Sequence, residues 1–274
     1  MENVTPLTET CNPESAHLDE MTPLELVELM HREDFKAVSA VEASLPVVAA
    51  FIEAAAGALK SGGRLFYLGA GTSGRLGILD AAECPPTFGT DPDLVQGLIA
   101  GGAKAVTEAV EGAEDDREAA FKELQARGLT DSDVIVGITA SGSTPFVAGA
   151  LERLKSLPNI TAAVFCNPEA AIKDLVRFPI ALPVGPEVLS GSTRLKAGTA
   201  TKLVLNMIST GIMVALGKCI GNFMVDMRAS NAKLIKRQIR MAAALADVSE
   251  EEAESVLEKC HGNLRAALEI LKKE

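Results

Sequence analysis

The stretch Gly63–Gly89, GRLFYLGAGTSGRLGILDAAECPPTFG, limits the possible folds more than any other part of the chain. Arg64–Leu68 is a short apolar run of strand type, and Gly69-Ala70-Gly71-Thr72-Ser73-Gly74 punctuates it. Leu76, Ile78, Leu79 and Ala82 then suit the buried face of a helix. Glycines let the backbone approach a ligand closely, and the free N–H groups at a helix start attract an anion. Thr72 and Ser73 add hydroxyl donors there, and Arg75 adds a positive charge. The helix is expected to stop at Pro85-Pro86, since neither proline donates a backbone hydrogen bond. That places Glu83 at the far end of the same element.

The loop also matches G-x-G-x-x-G, which alone is weak evidence for a dinucleotide site. Such a site wants an acidic residue about 20 positions on, at the end of the second strand, to hold the ribose. Here the corresponding region, Thr87–Pro92, reads as a turn, which favours a sugar-phosphate loop. A tight turn without a ligand is the plain alternative.

A chain of 274 residues, 47% hydrophobic and 23% charged, can bury a full core as one large domain and a small one. A net charge of −11 argues against general binding to nucleic acid or to an anionic membrane. An anionic substrate would need helix N-termini and a few local cations. Cys11, Cys84, Cys166, Cys219 and Cys260 are odd in number and scattered, and read as reduced thiols of a cytoplasmic protein. His17, His31 and His261 lie far apart, so no metal site is expected. The N-terminus has neither a basic start nor an apolar segment, so no secretory signal is expected.

Along the chain, Thr22-Pro23 reads as a capped helix start, with helices expected over Leu24–Arg32 and Ala37–Lys60. Leu94–Ala100 reads as a second strand, and Ala103–Arg127 as mostly helical with Gly128 as its cap. Asp115 and Glu118 resemble a capping box, and Asp116 and Glu118 read as a solvated acidic face. Glu111 and Glu114 fall one helical turn apart beside Gly112 and Ala113, where small neighbours leave room for a ligand. Asp133–Thr139 is a near-continuous apolar run of the kind found inside parallel sheets. The loop Ala140-Ser141-Gly142-Ser143-Thr144-Pro145 and a helix over Phe146–Lys155 follow it, repeating the opening layout.

Thr161–Cys166 and Phe178–Leu182 are two further strands, and a third loop over Gly185–Arg194 opens a long helix. Strands alternating with helices imply an α/β fold, a parallel sheet covered on both faces. Its ligands sit at the carboxyl ends of the strands, where the three loops would gather. Leu203–Gly217 is too short to span a bilayer, which takes ~20 residues, and reads as a buried helix. Asn222–Ala244 is expected to continue as helix, and Ser249 with Glu252 caps another. A division at 236/237 into a main domain and a small C-terminal helical subdomain is expected.

Several long stretches carry a resemblance. GRLFYLGAGTSGRLGILDAAECPPTFG, LIAGG, AVEGAEDD, ASGSTP, VGPEVLSGSTRLKAGTATKLVLNMIST and GNFMVDMRASNAKL, with the leader TETCNPESAHLD, closely resemble the N-acetylmuramic acid 6-phosphate etherases. The resemblance runs from about Thr8 to Leu234. It implies the sugar isomerase (SIS) fold, a homodimer with the site near its interface, and no cofactor. The implied substrate is a phosphorylated amino sugar, whose D-lactyl ether is removed by elimination and then hydration. Two carboxylates of separated pKa suffice for that chemistry. By resemblance these are Glu83, assisting departure of lactate, and Glu114, the partner base.

Glu111, Thr72, Ser73, Ser192 and Thr193 are implied as substrate-binding, and Ser141, Gly142, Ser143 and Thr144 as the phosphate loop. That loop usually reads ASGRTPY in the family, and here Ser143 and Phe146 replace the Arg and Tyr. The related glucokinase regulatory protein implies an alternative, a sugar-phosphate sensor without catalysis. An aldose–ketose isomerase of the same fold is a third reading.

Overall fold

The computed structural model describes residues 7–227, 229 and 232–272. By internal packing the chain divides into two units, Met1–Ala81 with Asp93–Ile212, and Ala82–Pro92 with Met213–Glu274.

Mostly apolar runs form the sheet of the first unit: β1 (Leu65–Gly69), β2 (Val95–Ile99), β3 (Val134–Ile138), β4 (Ile160–Phe165) and β5 (Phe178–Ala181). All pair in parallel, in the order β2-β1-β3-β4-β5. β1 and β3 are buried along their whole length, as strands covered on both faces must be. One face packs Phe66, Leu68, Ile135 and Phe165 against Phe146, Val147 and Leu151 of α5 (Pro145–Leu154) and Leu124 of α4 (Ala119–Ala126). On the other face, α2 (Leu45–Lys60) lays Phe51 edge-on against Phe178, 5.6 Å between ring centroids. There α3 (Gly71–Phe88) runs so close that a Cβ on Gly77 would sit 2.8 Å from the Tyr67 Cβ.

The first helix is longer than its sequence suggests. α1 covers Pro23–Glu42 without a break over residues 33–36, and Thr22 with Glu25 forms a complete capping box. The chain breaks instead at Ala43–Ser44, where Pro46 denies α2 a backbone donor in its first turn. α3 in turn runs through Pro85 and Pro86 to Phe88. The prolines leave the carbonyls one turn earlier without helical donors. The Gly89 N–H still closes on the Pro85 carbonyl at 2.9 Å, so the final turn survives.

The segment expected as a long helix from Ala103 is broken. It holds 3-10 turns at Gly102–Val106 and Ala113–Asp115, and only α4 is α-helical. The first turn already ends at Thr107, and Gly112, with a left-handed φ of 72°, opens the second. Asp116, not Asp115, supplies the cap, its Oδ1 accepting from the Glu118 and Ala119 N–H groups at 2.9 and 3.1 Å. Glu118 pairs with Arg153 at 2.8 Å, so the acidic face is partly neutralised.

After α6 (Lys196–Ala215) the chain is not helical at once. A two-residue hairpin, β6 (Cys219–Ile220) with β7 (Phe223–Met224), turns at Gly221, whose φ is 56°. Helix returns only at α7 (Ala232–Ala246); Arg228, Ser230 and Asn231 of the GNFMVDMRASNAKL stretch lie outside the described residues. α7, α8 (Glu250–Lys259) and α9 (Leu264–Leu271) close a separate core around Ile239, Ala253, Leu257 and Leu268. Arg265 joins this bundle to the hairpin through Asp226 at 2.9 Å. Arg265 and Lys218 hold the Asp226 carboxyl below its ordinary range, although burial alone would raise it.

Gly69 and Gly74, at the two ends of the loop, serve packing. A Cβ on Gly74 would stand 2.5 Å from the Ile99 Cγ1 and 2.7 Å from the Gly69 carbonyl oxygen. Gly74→Ala is therefore expected to lower stability by about 1–3 kcal/mol, read as an earlier urea midpoint with an unchanged slope.

Candidate functional site

β1, β2 and β3 end side by side, with Gly69 in register with both Ile99 and Ile138. Their connections therefore leave the sheet together, as expected for the carboxyl edge of a parallel sheet. The connection after β1 is only Ala70, so Thr72 and Ser73 stand half-buried in the first turn of α3. Gly71 begins that turn with a φ of 52° and open space at its Cβ position.

The connection after β2 curls back over this helix start. Arg75 holds it, its Nε donating to the Val106 carbonyl at 3.0 Å and its Nη2 to the Glu108 carbonyl at 3.1 Å. Together they enclose a cavity of about 210 Å³ lined by Ala70, Gly71, Arg75, Glu111, Gly112 and Glu114 among others. Glu111 and Glu114 thus share one cavity, but not as neighbours on a helix. The left-handed Gly112 turns the backbone between them.

The connection after β3 is a knot of hydroxyls. The buried Thr139 Oγ1 accepts from the Gly142 N–H at 3.2 Å and lies 2.8 Å from the Thr144 Oγ1. Ser141 Oγ accepts from the Ser143 N–H at 3.2 Å and the Ser143 hydroxyl at 3.0 Å. Gly142 has a φ of 75°, and a Cβ there would stand 2.3 Å from the Ala170 Cβ, so nothing larger fits. Thr139 is the residue the sequence reading missed. It looked like the polar end of an apolar strand, and only the fold turns its hydroxyl under the loop. Phe146 is fully enclosed in the core behind α5, whereas Ser143 is exposed.

The third loop, over 185–194, reaches the same edge. Thr193 and Thr72 both lie against Gly198, whose missing Cβ would stand 3.6 Å from the Thr193 carbonyl oxygen and the Thr72 Cγ2. Ser192 and Thr193 are half-buried there. The start of α6 is already occupied by the chain itself: Glu187 accepts from the Lys196 N–H at 3.0 Å and the Ala197 N–H at 2.9 Å. Burial pushes the Glu187 carboxyl up despite these bonds. The adjoining Cys166 thiol is pushed up to about 12 by burial and by Glu187, which makes it an inert core residue.

A buried ion pair fixes this loop from below. Lys196 Nζ donates to Glu33 of α1, which also accepts from Asn12 Nδ2 at 2.9 Å and from Lys36 at 2.5 Å. Asn12 reaches on to the Pro186 carbonyl at 3.4 Å, so the leader, α1 and the third loop share one network. Burial alone would raise the Glu33 carboxyl, but Lys196 and Lys36 outweigh it and hold the group below its ordinary range. A second buried carboxylate, Asp80 of α3, accepts from Tyr67 Oη at 2.8 Å and Ser209 Oγ at 2.9 Å. Burial raises its pKa over the opposing effect of those bonds. Glu83 is exposed on α3 and falls in the second unit, whereas Glu114 falls in the first.

The family model of the glucokinase regulatory protein N-terminal SIS domain matches residues 47–155. The N-acetylmuramic acid 6-phosphate etherase of Gloeobacter violaceus is 54% identical over 262 residues, 96% of this chain and 86% of that one. The chain belongs to the N-acetylmuramic acid 6-phosphate etherase family. Its Geobacillus thermodenitrificans member is 50% identical over 96% of this chain and 90% of its own. Among solved structures, phosphoheptose isomerases from Francisella tularensis and Neisseria gonorrhoeae superpose with TM-scores of 0.56 and 0.55 at 20% and 18% identity. They cover 71% and 70% of this chain and 100% and 99% of their own. At that identity they establish the SIS-type fold alone. The family therefore has here a parallel sheet between helices, three loops at its carboxyl edge, and the Glu111–Glu114 segment folded over the first.

Proposed function

We infer that the protein cleaves the D-lactyl ether of N-acetylmuramic acid 6-phosphate, giving N-acetylglucosamine 6-phosphate and D-lactate. The observation that carries this reading is the 54% identity held across 96% of the chain. The regulatory-protein model covers only residues 47–155, so catalysis is the better reading than sensing.

In the ring-opened sugar the C1 aldehyde acidifies the C2 proton, and the ether oxygen on C3 is a β leaving group. Glu114 removes the C2 proton, the C3–O bond breaks, and Glu83 gives a proton to the departing lactate oxygen. Water then adds to C3 of the unsaturated aldehyde and a proton returns to C2. Glu111, beside Glu114 in the cavity, faces the same bound sugar with Thr72 and Ser73. The phosphate sits on Ser141, Gly142, Ser143 and Thr144, with Ser192 and Thr193 beside it. Hydroxyls and N–H groups at helix starts hold a dianion without a dedicated lysine. Release of D-lactate, with a plain hexose phosphate as control, tests the reading: a sensor binds without turnover, and an isomerase converts the control.

Charge-assisted hydrogen bonds are worth ~1.5–3 kcal/mol, so Ser141→Ala is expected to weaken 6-phosphosugar binding about ten- to a hundredfold. Calorimetric titration reads this, and unchanged affinity removes the loop from the site. A cytoplasmic location and a homodimer belong to the same proposal. Cys11, Cys166, Cys219 and Cys260 are free thiols, which suits a reducing compartment. No single helix among the described residues is long and apolar enough to cross a membrane; α1 and α2 pass that test only as a pair bent by 58°. The division at 236/237, with the C-terminal helices serving packing or assembly, is proposed with it.

A further inference from the structure

The cavity over the first loop is small and chemically two-sided. At about 210 Å³ it falls below the ~300–1,000 Å³ of a pocket that encloses a whole ligand, so it takes one substituent of a sugar. Its acidic lining is Glu108, Glu111 and Glu114, and its apolar lining includes Ala100, Ala105 and Val110. Ala100 and Ala105 are each 4% exposed. Ala105 and Val110 converge at Gly101, where a Cβ would stand 2.9 Å from the Val110 Cβ and 3.2 Å from the Ala105 Cβ. Arg75 lines the cavity too. Its Nε and Nη2 donate to the Val106 and Glu108 carbonyls, while Nη1 has no acceptor among the described residues.

Proton abstraction by Glu114 accounts for a carboxylate here but not for an apolar wall or an unspent guanidinium donor. The substrate's own connectivity accounts for both. The C2 carbon that gives up its proton to Glu114 also carries the acetamido nitrogen, so that group lies beside the same carboxylate. We propose that this cavity is the acetamido subsite. The acetyl methyl packs on Ala105 and Val110, the acetamido oxygen accepts from Arg75 Nη1, and the acetamido N–H donates to Glu111. Both polar atoms of the buried amide are then satisfied, as burial requires.

The D-lactyl group is the other substituent with a methyl. It carries a carboxylate, and Glu111 and Glu114, which have no cationic partner within 4 Å among the described residues, would repel it. A neutral amide meets no such opposition. Ala105 and Val110 therefore determine specificity, selecting an N-acetylated sugar over a plain hexose.

This inference rests on the functional reading above, and binding measurements separate the two. By calorimetry, wild type is expected to bind N-acetylglucosamine 6-phosphate about tenfold or more tighter than glucose 6-phosphate. Ala105→Leu should fill the recess and erase that preference, with glucose 6-phosphate still bound as before. Val110→Ala should enlarge the recess and improve binding of the N-propionyl analogue about tenfold, an analogue that wild type rejects. A wild type that binds no 6-phosphosugar overturns the functional reading and this inference together. With such binding intact, three results overturn this inference alone. They are no acetamido preference in wild type, a preference indifferent to both substitutions, or effects confined to N-acetylmuramic acid 6-phosphate and absent from its lactate-free product. The last would put the lactyl group in the recess.

Discussion

Turnover in heavy water is expected to place deuterium at C2 of the released N-acetylglucosamine 6-phosphate, and solvent oxygen at its C3. Elimination must take the C2 proton and later replace it from the medium, whereas direct displacement by water at C3 would leave C2 untouched. Positioned proton transfer contributes ~10²–10⁴-fold, so Glu83→Gln and Glu114→Gln should each lower kcat by at least that factor. The two should differ in kind. Glu114→Gln should stop C2 exchange, since the base itself is gone. Glu83→Gln should still permit exchange while lactate fails to depart. The converse pattern, read by NMR of recovered sugar, reverses the assignment. Loss of deuterium with lactate release intact refutes elimination unless the proton returns unexchanged.

Lys196→Met is expected to cost about 3–5 kcal/mol, because it leaves the Glu33 carboxylate buried with only Lys36 and Asn12 for company. Pairing it with Glu33→Gln should recover a large part of that loss, since no unpaired charge is then buried. The loss should also depend on pH. The Glu33 carboxyl is held below its ordinary range in the folded chain, so its contribution is complete above that range. It disappears as pH falls through the lowered folded value. Wild type and Lys196→Met should therefore differ most near neutral pH and converge in acid. Urea unfolding at several pH values checks this, and a gap that widens in acid would contradict it.

The strands and the order of loops were legible in the residues. Arg64–Leu68, Asp133–Thr139 and Thr161–Cys166 are apolar runs bounded by glycine or polar punctuation, and each holds a strand within a residue or two of those bounds. The caps were legible too: Thr22 and Ser249 accept from N–H groups three residues on, a local contact that needs no tertiary partner. Helical spacing is not what pairs Glu111 with Glu114. They meet in one cavity because a left-handed glycine folds their segment over Gly71 and Arg75.

The sequence by itself determined the α/β class, the three hydroxyl-rich loops and the family, since these rest on local pattern and on long runs of identical residues. Only the tertiary structure decided that Glu187 takes the first N–H groups of α6 and that Lys196 is buried against Glu33. Lys196 and Glu33 are far apart in sequence, and nothing in either neighbourhood distinguishes a buried charge from a solvated one. Burial is a property of what packs against a side chain, and in this chain that neighbour comes from another element each time.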